Sequence, residues 1–290
     1  MRIANLQDRA VLIVDGDGTP DSPGRAVDVE RASDGRFGPR LESVLEGWED
    51  FREWAAGADL TSGESTVGQP YDPAALGAPV PRPRQVFGIG LNYRDHAQEA
   101  GLDIPSELLV FTKFASCLTG PVSRVSLPSD RVDWEVELVV VIGSGGLDIP
   151  PEEAWDRVAG LTIGQDLSER RVQFAVKPPQ FSLGKSYPGF GPIGPAIVTT
   201  DELGDRDALA IGCDLDGEPM QAGTTSDFIF PVAQVVSRLS QVVRLLPGDL
   251  IFTGTPAGVG SVRTPRRYLA PGETLVSRIE GLGELTTHLV

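Results

Sequence analysis

The stretch from Val132 to Gly143, Val-Asp-Trp-Glu-Val-Glu-Leu-Val-Val-Val-Ile-Gly, constrains this chain more than any other. Trp134, Val136, Leu138, Val140 and Ile142 fall on one parity, and with the β-branched content that pattern predicts a strand rather than a helix. The other parity carries Asp133, Glu135 and Glu137. Side chains on a strand alternate in direction, so Glu135 and Glu137 share a face about 6–7 Å apart, at roughly 3.3 Å of rise per residue. On a solvated edge, two such carboxylates would be no more than a charged outer face. Val139, Val140, Val141 and Ile142, however, continue apolar on both faces, as in a strand covered on both sides. Carboxylates at the head of a buried strand require a cation.

The 290 residues suffice for a large core in one or two domains. A net charge of −16 opposes general affinity for nucleic acid or anionic membranes, because phosphates would be repelled. No apolar run approaches about 18 residues and no signal-peptide pattern opens the chain, so the expected location is cytoplasmic. The two cysteines, Cys117 and Cys213, sit among small or apolar neighbours and read as buried free thiols. Residues 1–60 read as a small N-terminal domain. It holds two short apolar runs, Arg2 to Leu6 and Ala10 to Val14, and a helical stretch from Leu41 to Ala56. The stripe of Leu41, Val44, Leu45, Trp48 and Phe51 there is explained by packing. Residues 61–84 form a Gly/Pro-rich linker ending in Pro79-Val80-Pro81-Arg82-Pro83, expected to be extended and stiff. Residues 85–290 make the larger domain.

That domain opens with a short strand, Gln85 to Leu91. A short helix is expected next, with Asn92 as N-cap and Gly101 as the residue after its end. It sets His96 and Glu99 at i and i+3, on one face. A lone histidine is most often structural, but a neighbouring carboxylate raises imidazole basicity and fixes its orientation, as a general base requires. A helix over Asp148 to Gly160, followed by a strand over Leu161 to Gly164, can return Asp166 beside Glu135 and Glu137. Three carboxylates without nearby Cys or His are hard oxygen ligands, which favours magnesium, manganese or calcium over zinc. Lys185 lies in a Gly/Pro-punctuated loop, where a functional group and a solvated lysine are equally natural. A core helix over Pro231 to Arg244 is flanked by strands near Ala208 to Leu215 and Asp249 to Thr253. The glycine-rich turn Gly254 to Gly260 lacks the lysine and spacing of a phosphate loop. Glu273 to Ile279 and Glu284 to Leu289 read as a hairpin.

Five segments now carry a resemblance: Gly90-Leu91-Asn92-Tyr93-Arg94-Asp95-His96-Ala97-Gln98-Glu99, Asp133-Trp134-Glu135-Val136-Glu137-Leu138, Asp166 followed by Ser168, Arg170 and Gln173, Gly184-Lys185-Ser186, and Thr253 to Gly260. In this order they resemble the fumarylacetoacetate hydrolase family over roughly Val86 to Val290. The resemblance implies an α+β, mostly β fold with a mixed-sheet β-roll or sandwich core and flanking helices, assembled as a homodimer. It implies Mg2+ or Mn2+ on Glu135, Glu137 and Asp166, catalysis by His96, Glu99 and Lys185, and substrate contacts from Tyr93, Arg170, Gln173 and Thr255. Substrates would be 2-oxo or 1,3-dicarbonyl acids. Pro188-Gly189 stands where relatives commonly carry Asp-Thr, and Gln165 where Asn is common; both departures bear on the substrate pocket rather than the metal. The reaction expected is hydrolysis of an acylpyruvate to pyruvate and a carboxylic acid. Decarboxylation of an oxaloacetate-like acid, isomerisation or hydration of a muconate-type acid, and a non-catalytic metal-stabilised binding protein are the alternatives. Apolar residues in Phe111 to Leu118 and Phe228 to Phe230 are the expected dimer surface.

Overall fold

The computed structural model describes residues 1–60 and 68–290, so the first residues of the expected linker, 61–67, lie outside the described residues. Strands dominate, and the architecture is α+β, mostly β. The main sheet runs, edge to edge, Arg25–Asp28, Arg9–Val14, Arg2–Leu6, Gly191–Val198, Val158–Gln165, Val136–Ile142, Leu250–Phe252, Val86–Gly90 and Leu109–Thr112. Its neighbours along this path are antiparallel except Leu250–Phe252 and Val86–Gly90, which are parallel. A second, five-stranded sheet holds Glu218–Thr224, Ala210–Leu215, Thr274–Ile279, Gly283–Leu289 and Val122–Val125, the last pair parallel. Both sheets are therefore mixed, as expected, and the C-terminal hairpin forms between Thr274–Ile279 and Gly283–Leu289.

Val136–Ile142 lies at the centre and is buried along its whole length. Its alternation sorts two cores. Leu138, Val140 and Ile142 pack with Ile211, Leu275 and Leu285 of the second sheet and with Val235 and Leu239 of the helix Val232–Ser240. Val139 and Val141 point the other way, into a cluster with Leu12, Leu45, Trp48 and Phe51.

That second cluster changes the picture of the first 60 residues. Arg2 and Ile3 pair with Val198 and Ile197, so the N-terminal strands extend the main sheet and share its core. A segment of this length is marginal on its own, and the outer face of Val136–Ile142 needs a cover. The expected helix over Leu41 to Ala56 is two helices, Leu41–Glu46 and Trp48–Gly57, meeting at Gly47, and its apolar stripe is buried. The proline run is bent rather than extended, because Val80 is drawn into the same cluster. Asp148 to Gly160 holds only a 3-10 helix, Pro151–Arg157. Gly160 ends nothing: it lies in the strand Val158–Gln165, where a Cβ would come within 2.5 Å of the Val198 carbonyl oxygen.

Cys117 and Cys213 are free and buried. Phe228 and Phe230 are also buried, Phe228 against Tyr93 at 4.7 Å between ring centroids, so that segment is core and not free surface. Leu109, Val110 and Phe114 are exposed at and beside the open edge Leu109–Thr112. Among the described residues no helix is long and apolar enough to cross a membrane.

Candidate active site

The strand expected through Val132 to Gly143 breaks at Trp134 and Glu135. Val132–Asp133 pairs with Ser168–Glu169, and the central strand resumes at Val136. Glutamine side chains take the two amides at the break: Gln165 Oε1 accepts from Glu135 N and Gln221 Oε1 from Val136 N, both at 3.0 Å. The Asp166 amide donates to the Glu135 carbonyl at 2.8 Å, tying the end of Val158–Gln165 to the break. Glu135, Glu137 and Asp166 are thereby brought together, one carboxylate oxygen of each lying within 4.8 Å of the others, all three buried.

Their surroundings are unequal. Lys185 Nζ donates to both Glu135 Oε2 and Asp166 Oδ2 at 2.6 Å, Arg170 Nη2 lies 2.7 Å from Glu135 Oε1, and Lys113 Nζ lies 2.6 Å from Asp166 Oδ1. Burial opposes ionisation of Glu135, yet Lys185 and Arg170 bring its pKa down to about 2. Burial likewise opposes the charge on Lys185, and Asp166 and Glu135 overcome it, raising its pKa. Glu137 makes no ion pair among the described residues; its one hydrogen bond comes from Gly254 N at 2.8 Å. Burial, then the charge of Asp166, pushes its carboxyl well above the usual range. A buried carboxylate without a cationic partner among the described residues, beside two others and with only oxygen donors, suits a hard divalent cation. Glu135, Glu137 and Asp166 could hold one.

His96 and Glu99 stand where the helix Arg94–Glu99 puts them, His96 Nδ1 lying 3.5 Å from Glu99 Oε2. The caps differ from expectation. Tyr93 takes the N-cap position, while Asn92 donates to the carbonyls of Phe230 and Thr253 and accepts from Phe230 N. These bonds hold Leu91 at φ 53°, in the left-handed region. The glycine-rich turn then joins dyad to triad. Gly254 N binds Glu137, Ala257 N binds Asp95 at 3.2 Å and Gly258 N binds Glu99 at 2.9 Å. Its amides are carboxylate ligands rather than phosphate ligands. His96 and the Gly258 amide keep the Glu99 carboxyl below its usual pKa although burial opposes this.

A cavity of about 210 Å3 opens onto this assembly. Glu135, Glu137, Lys185, His96, Arg170, Gln173 and Thr255 all line it, with Leu102, Leu109, Phe111 and Phe181 among its apolar walls. Three of the expected substrate contacts have prior commitments. Arg170 is held by Asp133, Glu135 and Gln173 Oε1. The Thr255 hydroxyl donates to the Val136 carbonyl and accepts from Gln221, each at 2.8 Å. Tyr93 does not line the cavity; it is fully buried and its hydroxyl has no hydrogen-bond partner among the described residues.

Sequence reasoning missed Asp133 and Lys113. Asp133 accepts from Arg170, Gly260 N, Ser261 N and Trp134 N, which locks the glycine-rich turn, Arg170 and the strand break into one network. Lys113, besides Asp166, donates to the carbonyls of Lys185 and Phe190.

Residues 85–290 match the fumarylacetoacetate hydrolase C-terminal family model. The chain belongs to the fumarylacetoacetate hydrolase family. Bos taurus oxaloacetate tautomerase FAHD2A, a mitochondrial protein, is 43% identical over 215 residues, 73% of this chain and 68% of the relative. The fumarylacetoacetate hydrolase of Exiguobacterium antarcticum superposes with a TM-score of 0.82 at 30% identity, covering 100% of this chain and 99% of its own. Fumarylpyruvate hydrolase of Pseudomonas aeruginosa, solved with Mn2+ and pyruvate, gives a TM-score of 0.65 at 36% identity over 71% of this chain and 89% of its own. These relatives of the family member described here are enzymes of more than one reaction type.

Proposed function

We propose that this family member is a divalent-metal-dependent hydrolase that cleaves a C–C bond in an acylpyruvate, giving pyruvate and a carboxylic acid. The observation that carries this reading is His96, with Glu99 beside it, opening onto the same cavity as the carboxylates of Glu135 and Glu137. Bound magnesium or manganese, held by Glu135, Glu137 and Asp166, would supply Lewis acidity and stabilise negative charge developing on the 2-oxo acid. The chain supplies the rest. His96, whose Nδ1 lies 3.5 Å from the Glu99 carboxylate, takes a proton from water for attack on the distal carbonyl and later returns it to the carbon of the leaving pyruvate fragment. Lys185, kept charged by Asp166 and Glu135, and Gln173 would stabilise the oxyanion formed by that attack. Arg170 positions Glu135 and Gln173.

A second reading, keto–enol interconversion of oxaloacetate, is favoured by the bovine relative of that name. It needs the dyad for proton transfer but no attack by water. The two are separated by initial rates on acylpyruvates and on oxaloacetate at saturating magnesium, for wild type and His96→Ala. Hydrolysis by the wild type, falling by about 10²- to 10⁴-fold in the variant, is the expected result. A wild type that interconverts oxaloacetate tautomers and hydrolyses no acylpyruvate would replace the first reading with the second. We also propose a homodimer using the open edge Leu109–Thr112 and the exposed Phe114. Sedimentation as a 30.9 kDa monomer at micromolar concentration would rule it out.

A further inference from the structure

The charge in the catalytic cavity gathers around the triad. Glu135 and Glu137 belong to it, and Lys185 and Arg170 are bonded to Glu135. Among the described residues the only other titratable group in the wall is His96. Three phenyl rings lead away from that end. Lys185 Nζ lies 5.1 Å from the centroid of the Phe111 ring, Phe111 lies 5.7 Å from Phe181, and Phe181 lies 6.3 Å from Phe174, both ring pairs edge-on. All three line the cavity, Phe111 and Phe181 half-buried and Phe174 exposed, so the row runs from the lysine out to solvent. Local sequence sets it there. Phe111 stands on the edge strand Leu109–Thr112, Phe181 opens the short helix that leads into Lys185, and Phe174 follows the helix Arg170–Gln173. Gly88 gives Phe111 its seat, since a Cβ there would come within 2.2 Å of the ring.

We infer that the acyl arm of the substrate is bulky and apolar, an aryl or branched alkyl group lying along the row from Phe111 to Phe174. The inference rests on the 2-oxo acid reading and adds to it the class of acyl group. With the 2-oxo acid end held at the triad, the arm extends over the rings and removes their surface from water, a gain that scales with the apolar area covered. An aryl arm adds edge-to-face packing with Phe111 and Phe181. A carboxylate on the arm would lose its water against these rings and meet no counter-charge among them. Leu102, Leu109 and Phe174 leave apolar surface open at the mouth of the cavity, and such an arm would cover it.

The test is calorimetric titration of the manganese-loaded protein with three 2-oxo acids that lack the 4-oxo group needed for cleavage: 2-oxo-4-phenylbutanoate, 2-oxobutanoate and 2-oxoglutarate. The wild type should bind the phenyl acid more tightly than 2-oxobutanoate by about tenfold or more, the order expected when one phenyl group leaves water, and Phe181→Ala should bring that ratio close to one. Phe174 is exposed, so Phe174→Ala is expected to fold and should lower the ratio in part. Raised salt should leave the ratio unchanged, because no charge distinguishes these two ligands. A wild type without preference for the phenyl acid, one that binds 2-oxoglutarate more tightly than the phenyl acid, or full preference retained in both variants would overturn the inference. Preference for the phenyl acid without cleavage of any 2,4-dioxo acid would leave the apolar subsite standing and remove the hydrolase reading. Cleavage without that preference would do the reverse.

Discussion

Replacing Glu137 by Gln separates the metal assignment from the fold. The carboxyl is buried, accepts only the Gly254 amide, and has no cation of its own among the described residues. An amide oxygen preserves that bond, and the new NH2 lies beside the acceptor oxygens of Glu135 and Asp166, all within a 4.8 Å cluster. The metal-free variant should therefore be at least as stable as wild type, whose Glu137 carboxyl burial and Asp166 hold well above its ordinary range. The response to metal should differ. An ion present at a hundred times its Kd stabilises wild type by about 2.7 kcal/mol. For 290 residues the unfolding entropy is about 0.6 kcal/mol per degree, so the melting temperature should rise by about 4 °C. Each tenfold loss of affinity removes about 1.4 kcal/mol, or about 2 °C of that shift, so loss of one ligand charge should erase most of it. Differential scanning fluorimetry with and without manganese reads both quantities. A Glu137→Gln protein that keeps the wild-type manganese shift would remove Glu137 from the ligand set, and a metal-free variant that melts well below wild type would contradict the account of its burial.

Other outcomes follow from the same network. Arg170→Met leaves Asp133 and Glu135 without their shared cation and should destabilise the protein by about 3–5 kcal/mol, measured by urea unfolding. Gly260→Ala puts a Cβ 1.9 Å from the Arg267 carbonyl oxygen and 2.8 Å from Asp133 Oδ1. It should cost about 1–3 kcal/mol or more in the same assay and weaken metal binding by disturbing the loop that Asp133 anchors. In the metal-free protein Glu137 keeps its proton above the usual carboxylate range, so metal uptake should release a proton and affinity should rise with pH. Calorimetry in buffers of different ionisation enthalpy would show that proton. Glu135 acts in the opposite direction: with its carboxyl held at about 2, its stabilisation is present above its ordinary value of 4.5 and is lost as pH falls through about 2.

The parts of the site readable from sequence were those that local geometry fixes. Glu135 and Glu137 share a face because they are two apart, even though the strand breaks beside them, and His96 meets Glu99 because helical residues three apart are neighbours. Asp166 needed one strand return, and antiparallel pairing of Val136–Ile142 with Val158–Gln165 supplied it. Lys113, Asp133 and Gln221 act across long separations, Gln221 reaching Val136 over 85 residues, and no spacing announces that. One signal was available: Lys113 shares strand parity with Leu109 and Phe111, both of which line the cavity, and an inward lysine in so acidic a chain has a buried carboxylate to meet. The packing partner of the N-terminal segment was not legible for a different reason. Its pattern shows an apolar face but not its partner, which is the side of Val136–Ile142 turned away from the second sheet.

The charges of the centre explain why an anion would bind to so acidic a protein. Three carboxylates around one divalent ion would by themselves carry one net negative charge. The structure buries four carboxylates, Asp133, Glu135, Glu137 and Asp166, against three cations, Lys113, Arg170 and Lys185. One negative charge is left over, and burial together with the charge of Asp166 favours a proton on Glu137 in the metal-free state. A divalent ion that displaces this proton leaves the centre with one positive charge, which the carboxylate of a single 2-oxo acid would balance. Lys113 is one of the cations this balance depends on: without it the loaded centre would be neutral, with no charge left to attract the substrate. Lys113→Met should therefore raise KM for a 2-oxo acid more than it lowers kcat, and a variant losing kcat alone would count against this reckoning.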